Sequence, residues 1–338
     1  MTRARTPTPA DGPLQRSHAP RRMKIAFVLD PLEDLKPRKD SSVAMMREAS
    51  RRGHEIYALG MPDLFVQEGA VVARATPIAV DEGDEAWYRE SGAEEVPLAF
   101  FDLVMMRKDP PFDAEYYYAT LLLEHAEGQG ARVVNSPRAL RDWNEKLAIL
   151  RFPQFTPPTL VARDPLRIQA FIDRHEDVIL KKLDGMGGTM IFRVRRDDPN
   201  RNVIVETMVG AAERTIMAQK FVTEIAKGDK RVLVIDGKCF PYSLARIPKA
   251  GETRGNLATG GTGVAQPLSA HDREIGETVG AELVKAGITF AGLDVIGDFL
   301  TEVNVTSPTC IAEIAQQTGE NAAKPLLDAL ERLARPRA

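Results

Sequence analysis

The chain has 338 residues, 45 Lys+Arg against 48 Asp+Glu for a formal net charge of −3, and 43% hydrophobic residues. At roughly 150 residues per domain this is a globular chain of about two domains, and its charge balance lacks the basic footprint of a nucleic-acid binder. No apolar run reaches the ~18 residues of a membrane span, and two cysteines, Cys239 and Cys310, are too few for a disulfide framework, so a cytoplasmic, reducing compartment is expected.

Residues 1–22 hold five arginines, one acid and four prolines, with almost nothing apolar to pack. Such a segment does not repay its ordering entropy, and a disordered tail is expected. It lacks the apolar stretch of a secretory signal. The run Ile25-Ala26-Phe27-Val28-Leu29 then reads as a strand covered on both faces. Asp40 and Ser41 are caps for a helix through Arg52, and Gly53 is its stop. Strands at 56–59, 103–106 and 131–134 follow, with a helix at about 115–127. This alternation predicts an α/β domain on a doubly wound parallel sheet. Gly-x-Gly-x-x-Gly is absent after the first strand, which argues against a dinucleotide site there.

Ser136 and Pro137 open a helix expected to carry Trp143, Asn144, Glu145 and Lys146 and to end near Phe152. Pro153, Pro157 and Pro158 mark a linker. A helix at 164–175, a strand at 178–182, a glycine-rich turn at 184–188 and a strand at 190–194 come next. Asp236-Gly237 is a two-residue hairpin signal between strands at 231–235 and 239–245. Residues 247–263 read as a long glycine-rich loop, of the kind that is usually functional or disordered. A helix at 271–285, a hairpin of 289–296 with 300–305, a short helix opened by Ser307-Pro308 and an amphipathic helix at 324–333 complete the pattern.

The chemistry is hinted at in pieces. Gly185, Gly187 and Gly188 free backbone N–H groups to face an anion, although a tight hairpin turn accounts for them equally. Lys181, feeding that turn, and Lys146, on the preceding helix, are point charges suited to phosphate or else solvated surface lysines. Asp294, Glu302 and Asn304 are hard oxygen donors that suit Mg²⁺ carrying phosphates, with no sulfur or imidazole to suggest zinc, although an exposed strand face with polar alternation accounts for them equally. Glu302 and Asn304, two apart, share a strand face. A plain two-residue turn at Gly297-Asp298 would oppose Asp294 to Thr301 and send Glu302 to the other face. A three-donor site therefore requires a bulge or an odd-numbered loop. Arg107, beyond a strand's carboxyl end, and Arg231, Arg246 and Arg254 supply fixed charge for a substrate with several carboxylates, though each taken singly reads better as a solvated surface arginine. Nucleophile patterns are missing: the histidines are scattered, Gly-x-Ser-x-Gly is absent, and Cys310 is expected to be a buried thiol.

Seven stretches, in this order, closely resemble the bacterial glutathione synthetase family of ATP-grasp carboxylate–amine ligases. They are Met106-Arg-Lys-Asp-Pro-Pro-Phe-Asp113, Asn144-Glu-Lys-Leu147, Leu183-Asp-Gly-Met-Gly-Gly188, Asp229-Lys-Arg-Val-Leu-Val234, Leu244-Ala-Arg-Ile-Pro248, Gly251-Glu-Thr-Arg-Gly-Asn256 and Thr301-Glu-Val-Asn-Val-Thr-Ser-Pro-Thr-Cys310. The resemblance runs from about 23 to 330. It implies an ATP-grasp fold preceded by the doubly wound N-terminal domain, with lobes at 23–143, 144–224 and 225–331 and ATP between the last two. It implies joining of γ-glutamylcysteine and glycine through an acyl phosphate, with ATP and Mg²⁺ (Mn²⁺ as the alternative cation), in a cytoplasmic homo-oligomer without nucleic-acid or membrane partners. Lys146 and Lys181 would then hold phosphates, Gly187 and Gly188 cover them, and Gln219, Lys220, Phe221 and Val222 flank the adenine. Asp294, Glu302 and Asn304 would ligate the metal. Arg107, Arg231, Arg246 and Arg254 would serve the substrate, the last three also in catalysis. Lids at 185–188 and 247–263 would keep water from the acyl phosphate. Lys182 stands where the family often has proline, which leaves either Lys181 or Lys182 to face the phosphates. A different ATP-grasp ligase or a non-catalytic ATP-binding module are the rival readings.

Overall fold

The computed structural model describes residues 22–252, 255, 257 and 260–335. Of the expected tail only Arg22 is among them, and Arg254 lies outside. Three separate sheets organise the chain. The first holds β1 (Lys24–Val28), β2 (Glu55–Leu59), β3 (Leu64–Gln67), β4 (Ala70–Val80), β5 (Tyr88–Glu90), β6 (Glu94–Pro97), β7 (Leu103–Met106) and β8 (Val133–Val134). Its main path runs β3-β4-β2-β1-β7-β8, with β5 and β6 paired to β4.

Strands β1, β2, β7 and β8 are parallel, as the strand–helix alternation requires. Helices α1 (Ser41–Arg51) and α2 (Ala114–Gly128) belong to this layer, and each starts on an aspartate cap. Asp40 accepts from the N–H groups of Ser42 and Val43, and Asp113 from that of Tyr116. The sheet is not purely parallel. β3 to β6 form an antiparallel extension built on the long β4, which sequence reading left blank because its polar and apolar residues alternate irregularly.

The helix expected from Ser136 to Phe152 is broken. α3 ends at Asp142, and a 3₁₀ turn covers Leu147–Arg151. Asn144 is the cause: its Oδ1 accepts from the N–H groups of Lys146 (3.1 Å) and Leu147 (3.0 Å), which starts a new turn in place of continuing the old helix. Lys146 is therefore on a tight turn, not a helix face.

The second sheet is antiparallel, in the order β11-β10-β12-β9: β9 (Thr159–Ala162), β10 (Asp177–Lys182), β11 (Ile191–Arg195) and β12 (Ile216–Lys220), with α4 (Pro165–His175) and α5 (Arg201–Val209) on it. Its core, around Ile168, Ile172, Val178, Leu180 and Val205, is a cluster of its own. The third sheet, β15-β14-β13-β16-β17, comprises β13 (Asp229–Ile235), β14 (Lys238–Ile247), β15 (Thr262–Pro267), β16 (Phe290–Ile296) and β17 (Phe299–Asn304), covered by α6 (Ala270–Lys285). α7 (Ile311–Thr318) and α8 (Ala323–Ala334) then pack back toward α1. α7 begins later than Ser307-Pro308 suggested, because Cys310 takes a left-handed φ of 89° and caps it.

The first and third sheets share two apolar cores. One buried amide joins them: Asn135 Nδ2 donates to the carbonyls of Phe290 and Val305, both at 2.8 Å, while its Oδ1 accepts from the N–H groups of Thr289 and Phe290. All four hydrogen-bonding valences of one side chain are thereby used.

Candidate active site

A cavity of about 700 Å³ opens where the three sheets meet. Its walls come from the loop before α1, the Lys146 turn, β10 and its glycine turn, the end of β12, and β13, β14, β16 and β17.

Lys146 and Lys181 line it, and both are buried. Lys146 Nζ donates to the Gly185 carbonyl (2.7 Å) and to Glu145 Oε1. Glu302 Oε1 lies 3.8 Å from Lys146 Nζ and 3.7 Å from Lys181 Nζ. Burial works against the Lys146 charge, but Glu302 and Glu145 outweigh it and hold the ammonium above its ordinary range. Burial and the neighbouring Glu302 push the Glu145 carboxyl up. Strand alternation sends Lys182 to the other face, where it pairs with Asp184. Only Lys181 of the two reaches the cavity.

Gly187 and Gly188, with φ of 60° and 79°, take a conformation that side chains disfavour. They cover the cavity beside Lys181. Gln219, Lys220, Phe221 and Val222 line the far wall at the end of β12. Gln219 is anchored by its Nε2 on Thr159 Oγ1, 3.0 Å away.

The β16–β17 hairpin has a two-residue turn and a bulge. Ile296 opposes Phe299 and Val295 opposes Leu300, but Asp294 opposes Glu302. Thr301 is the extra residue, and its hydroxyl donates to the Asp294 carbonyl at 3.1 Å. Asp294, Glu302 and Asn304 all line the cavity. Asp294 is also the centre of a buried ion cluster. Arg231 Nε donates to its Oδ1 at 2.5 Å, and Arg246 Nη2 reaches its Oδ2 at 2.9 Å. Burial pushes the Asp294 carboxyl up, yet the two guanidiniums override it and hold the group well below the usual carboxylate range. Arg246 Nη2 also binds Asp229 Oδ2. Among the described residues no group of three or more His, Cys, Asp or Glu side chains forms a metal cluster; the oxygen donors here are two carboxylates and one amide.

Arg107 is buried behind the wall instead of lining it. Its Nε donates to Ser42 Oγ (3.0 Å) and its Nη2 to the Pro308 carbonyl (3.1 Å), so it braces the turn that brings Thr309 and Cys310 to the cavity. Cys310 is buried, and burial pushes its thiol up, as it does for Cys239, raised to about 11. Neither is an activated nucleophile. Sequence reading missed Glu313 in the wall, and gave Glu145 and Asp229 no role although both lie in quoted motifs.

Two family models, "Prokaryotic glutathione synthetase, N-terminal domain" and "Prokaryotic glutathione synthetase, ATP-grasp domain", match residues 23–141 and 145–319. Glutathione synthetase of Nitrosomonas europaea is 58% identical over 312 residues, 91% of this chain and 98% of that one. The enzyme of the same name from Bordetella parapertussis is 56% identical over 314 residues, 91% and 99% of the two chains. The crystal structure of D-cycloserine synthetase DcsG matches with a TM-score of 0.64 at 14% identity, covering 92% of this chain and 100% of that one, a likeness of fold.

Proposed function

The chain belongs to the prokaryotic glutathione synthetase family, and from that premise we propose how its residues divide the reaction. The activity is ATP-dependent ligation of γ-glutamylcysteine and glycine to glutathione, through the acyl phosphate general to ATP-grasp chemistry. One observation carries the division of roles: Lys146, Lys181 and the glycine turn meet the opposed Asp294 and Glu302 in a single cavity.

Lys146 and Lys181 hold the ATP phosphates, and Glu302 is their counter-ion until the nucleotide arrives. Gly187 and Gly188 close over the phosphates, with Gln219, Lys220, Phe221 and Val222 at the base. Asp294, Glu302 and Asn304 would hold Mg²⁺, or Mn²⁺ in its place, and their hard oxygens on one face of the β16–β17 hairpin fit such a cation. When bound, it supplies neutralisation of the phosphoryl charge. Arg231 and Arg246 orient Asp294 and face the substrate carboxylates. Arg107 acts from behind by bracing the turn at Pro308. Arg254 is assigned to the substrate from its glycine-flanked motif alone.

The three sheets and the separate core of the second support lobes at 23–143, 144–224 and 225–331. Tyr117, Tyr118 and Leu121, exposed on α2, offer apolar surface to a second copy in a homo-oligomer. Among the described residues no helix is long and apolar enough to cross a membrane, and with two free cysteines this supports a cytoplasmic enzyme. The test is ADP release with γ-glutamylcysteine, glycine and MgATP, each omitted in turn. Release should require γ-glutamylcysteine and MgATP for a single slow turnover, and all three components for steady turnover.

A further inference from the structure

The hairpin that carries Asp294, Glu302 and Asn304 is gripped at its tip by side chains that stay out of the cavity. Lys230 stands between two cavity-lining residues, Asp229 and Arg231, and strand alternation turns it to the other face of β13. Its backbone pairs with Val295, beside the bulge. Its Nζ binds the buried Asp272, in the first turn of α6, and donates to the carbonyl of Gly297 at 3.0 Å. His271, one residue before Asp272, holds the other residue of the turn: its Nε2 lies 3.2 Å from the Asp298 carbonyl. A carbonyl only accepts, so that nitrogen carries the proton. Both carbonyls of the two-residue turn are thus tied to the start of α6.

The outer edge of β17 is fixed as well. The N–H of Leu300 donates to the Phe155 carbonyl and that of Val303 to the Glu145 carbonyl, both at 2.8 Å. Between the pairs Val295–Leu300 and Leu293–Val303, β16 spends two residues and β17 three. With the tip, Leu300 and Val303 all held, the extra residue is confined between them, and Glu302 faces Asp294. A slip of one residue would turn the side chains of β17 to the opposite face.

We propose that Lys230, with its partner Asp272, and His271 are positioning residues for the metal donors, holding the hairpin tip so that Asp294 and Glu302 converge on one cation. This rests on the metal reading above and deepens it. None of the three lines the cavity, so they act only through the backbone of the turn. Groups behind a set of metal donors orient them, and a cation is sensitive to small displacements of its oxygens.

The experiment measures ADP binding by titration calorimetry in Mg²⁺ and in EDTA; the ratio of the two dissociation constants reports what the metal donors contribute. Lys230→Met alone would strand the buried Asp272 charge, so the variant is Lys230→Met/Asp272→Leu, which leaves no charge buried. The expected result is a Mg²⁺ enhancement of ADP binding reduced about tenfold, with affinity in EDTA within about twofold of wild type. His271→Ala, at a partly exposed position, should show the same split at smaller size, and it carries the test if the double variant does not fold. An undiminished enhancement in the double variant, or in His271→Ala where that variant alone folds, overturns the proposal. Equal losses in Mg²⁺ and in EDTA also overturn it, and leave the Lys230–Asp272 pair as a structural tie between β13 and α6. A wild-type protein that binds ADP equally with and without Mg²⁺ overturns the metal reading itself.

Discussion

Asp294 stands directly opposite Glu302 although only two residues, Gly297 and Asp298, separate their strands. Without the bulged Thr301 the two carboxylates would point to opposite faces of the sheet. With it they face one cavity, yet their surroundings differ sharply. Asp294 is locked between two arginines, and Glu302 faces two lysines at longer range.

Asp294→Asn and Glu302→Gln should therefore separate stability from activity. Asp294→Asn leaves two buried guanidiniums short of a counter-charge and should cost about 3–5 kcal/mol in denaturant unfolding. The folded-state acidity of Asp294 is displaced below the ordinary 3.8, so its stabilisation is present above that pH and is lost as the pH falls through the folded value. Acid unfolding of the variant should be less steep than that of wild type. Glu302→Gln should cost less, because Lys146 keeps Glu145 and the Gly185 carbonyl, but it should still stop turnover. EDTA should stop the wild-type enzyme, and added Mg²⁺ should restore it.

Lys181→Met should raise the KM for ATP about tenfold or more, equivalent to roughly 1.4 kcal/mol. Lys182→Met, on the outer face with Asp184, should leave it within about twofold, since exposed pairs contribute little. Equal effects would mean that the strand's alternation does not select the phosphate ligand.

Asn135→Ala removes the four hydrogen bonds that its side chain makes between the first and third sheets and strands buried backbone groups. At about 1 kcal/mol per bond, the loss should reach about 3 kcal/mol or more, read by thermal unfolding. The substrate KM values of the surviving folded enzyme should change little.

Arg107→Lys and Arg254→Ala should both raise the KM for γ-glutamylcysteine and spare ATP binding, but only the first should lower the melting temperature. Arg107 is buried and holds Ser42 and the Pro308 carbonyl, whereas the Arg254 motif is flanked by glycines that make a poor scaffold. Loss of nucleotide binding in Arg254→Ala would remove it from the substrate side.

What the chain determines locally was legible in it. Apolar runs marked β1, β2 and β7, aspartates marked the starts of α1 and α4, and Asp236-Gly237 marked the β13–β14 turn. Each of these signals lies within a few residues of what it specifies. The family's motifs likewise carried both lysines, the glycine turn and the three oxygen donors into one cavity. Legibility ended where a residue's neighbours are distant in the chain. The break after α3 depends on Asn144 capping a turn, which periodicity does not register. Asn135 looks like a loop polar residue until β16 and Val305 are brought against it. The two bulges show the limit most directly. Counting back from Asp236-Gly237 sets Asp229 opposite Leu244, and the bulge between Val232 and Val234 moves it two places to Arg246, on the same face. At Thr301 the shift is a single residue, which reverses the face. A strand's side chains alternate with period two, so composition can say that carboxylates are available. Only the packed sheet, by placing its extra residues, decides which of them meet.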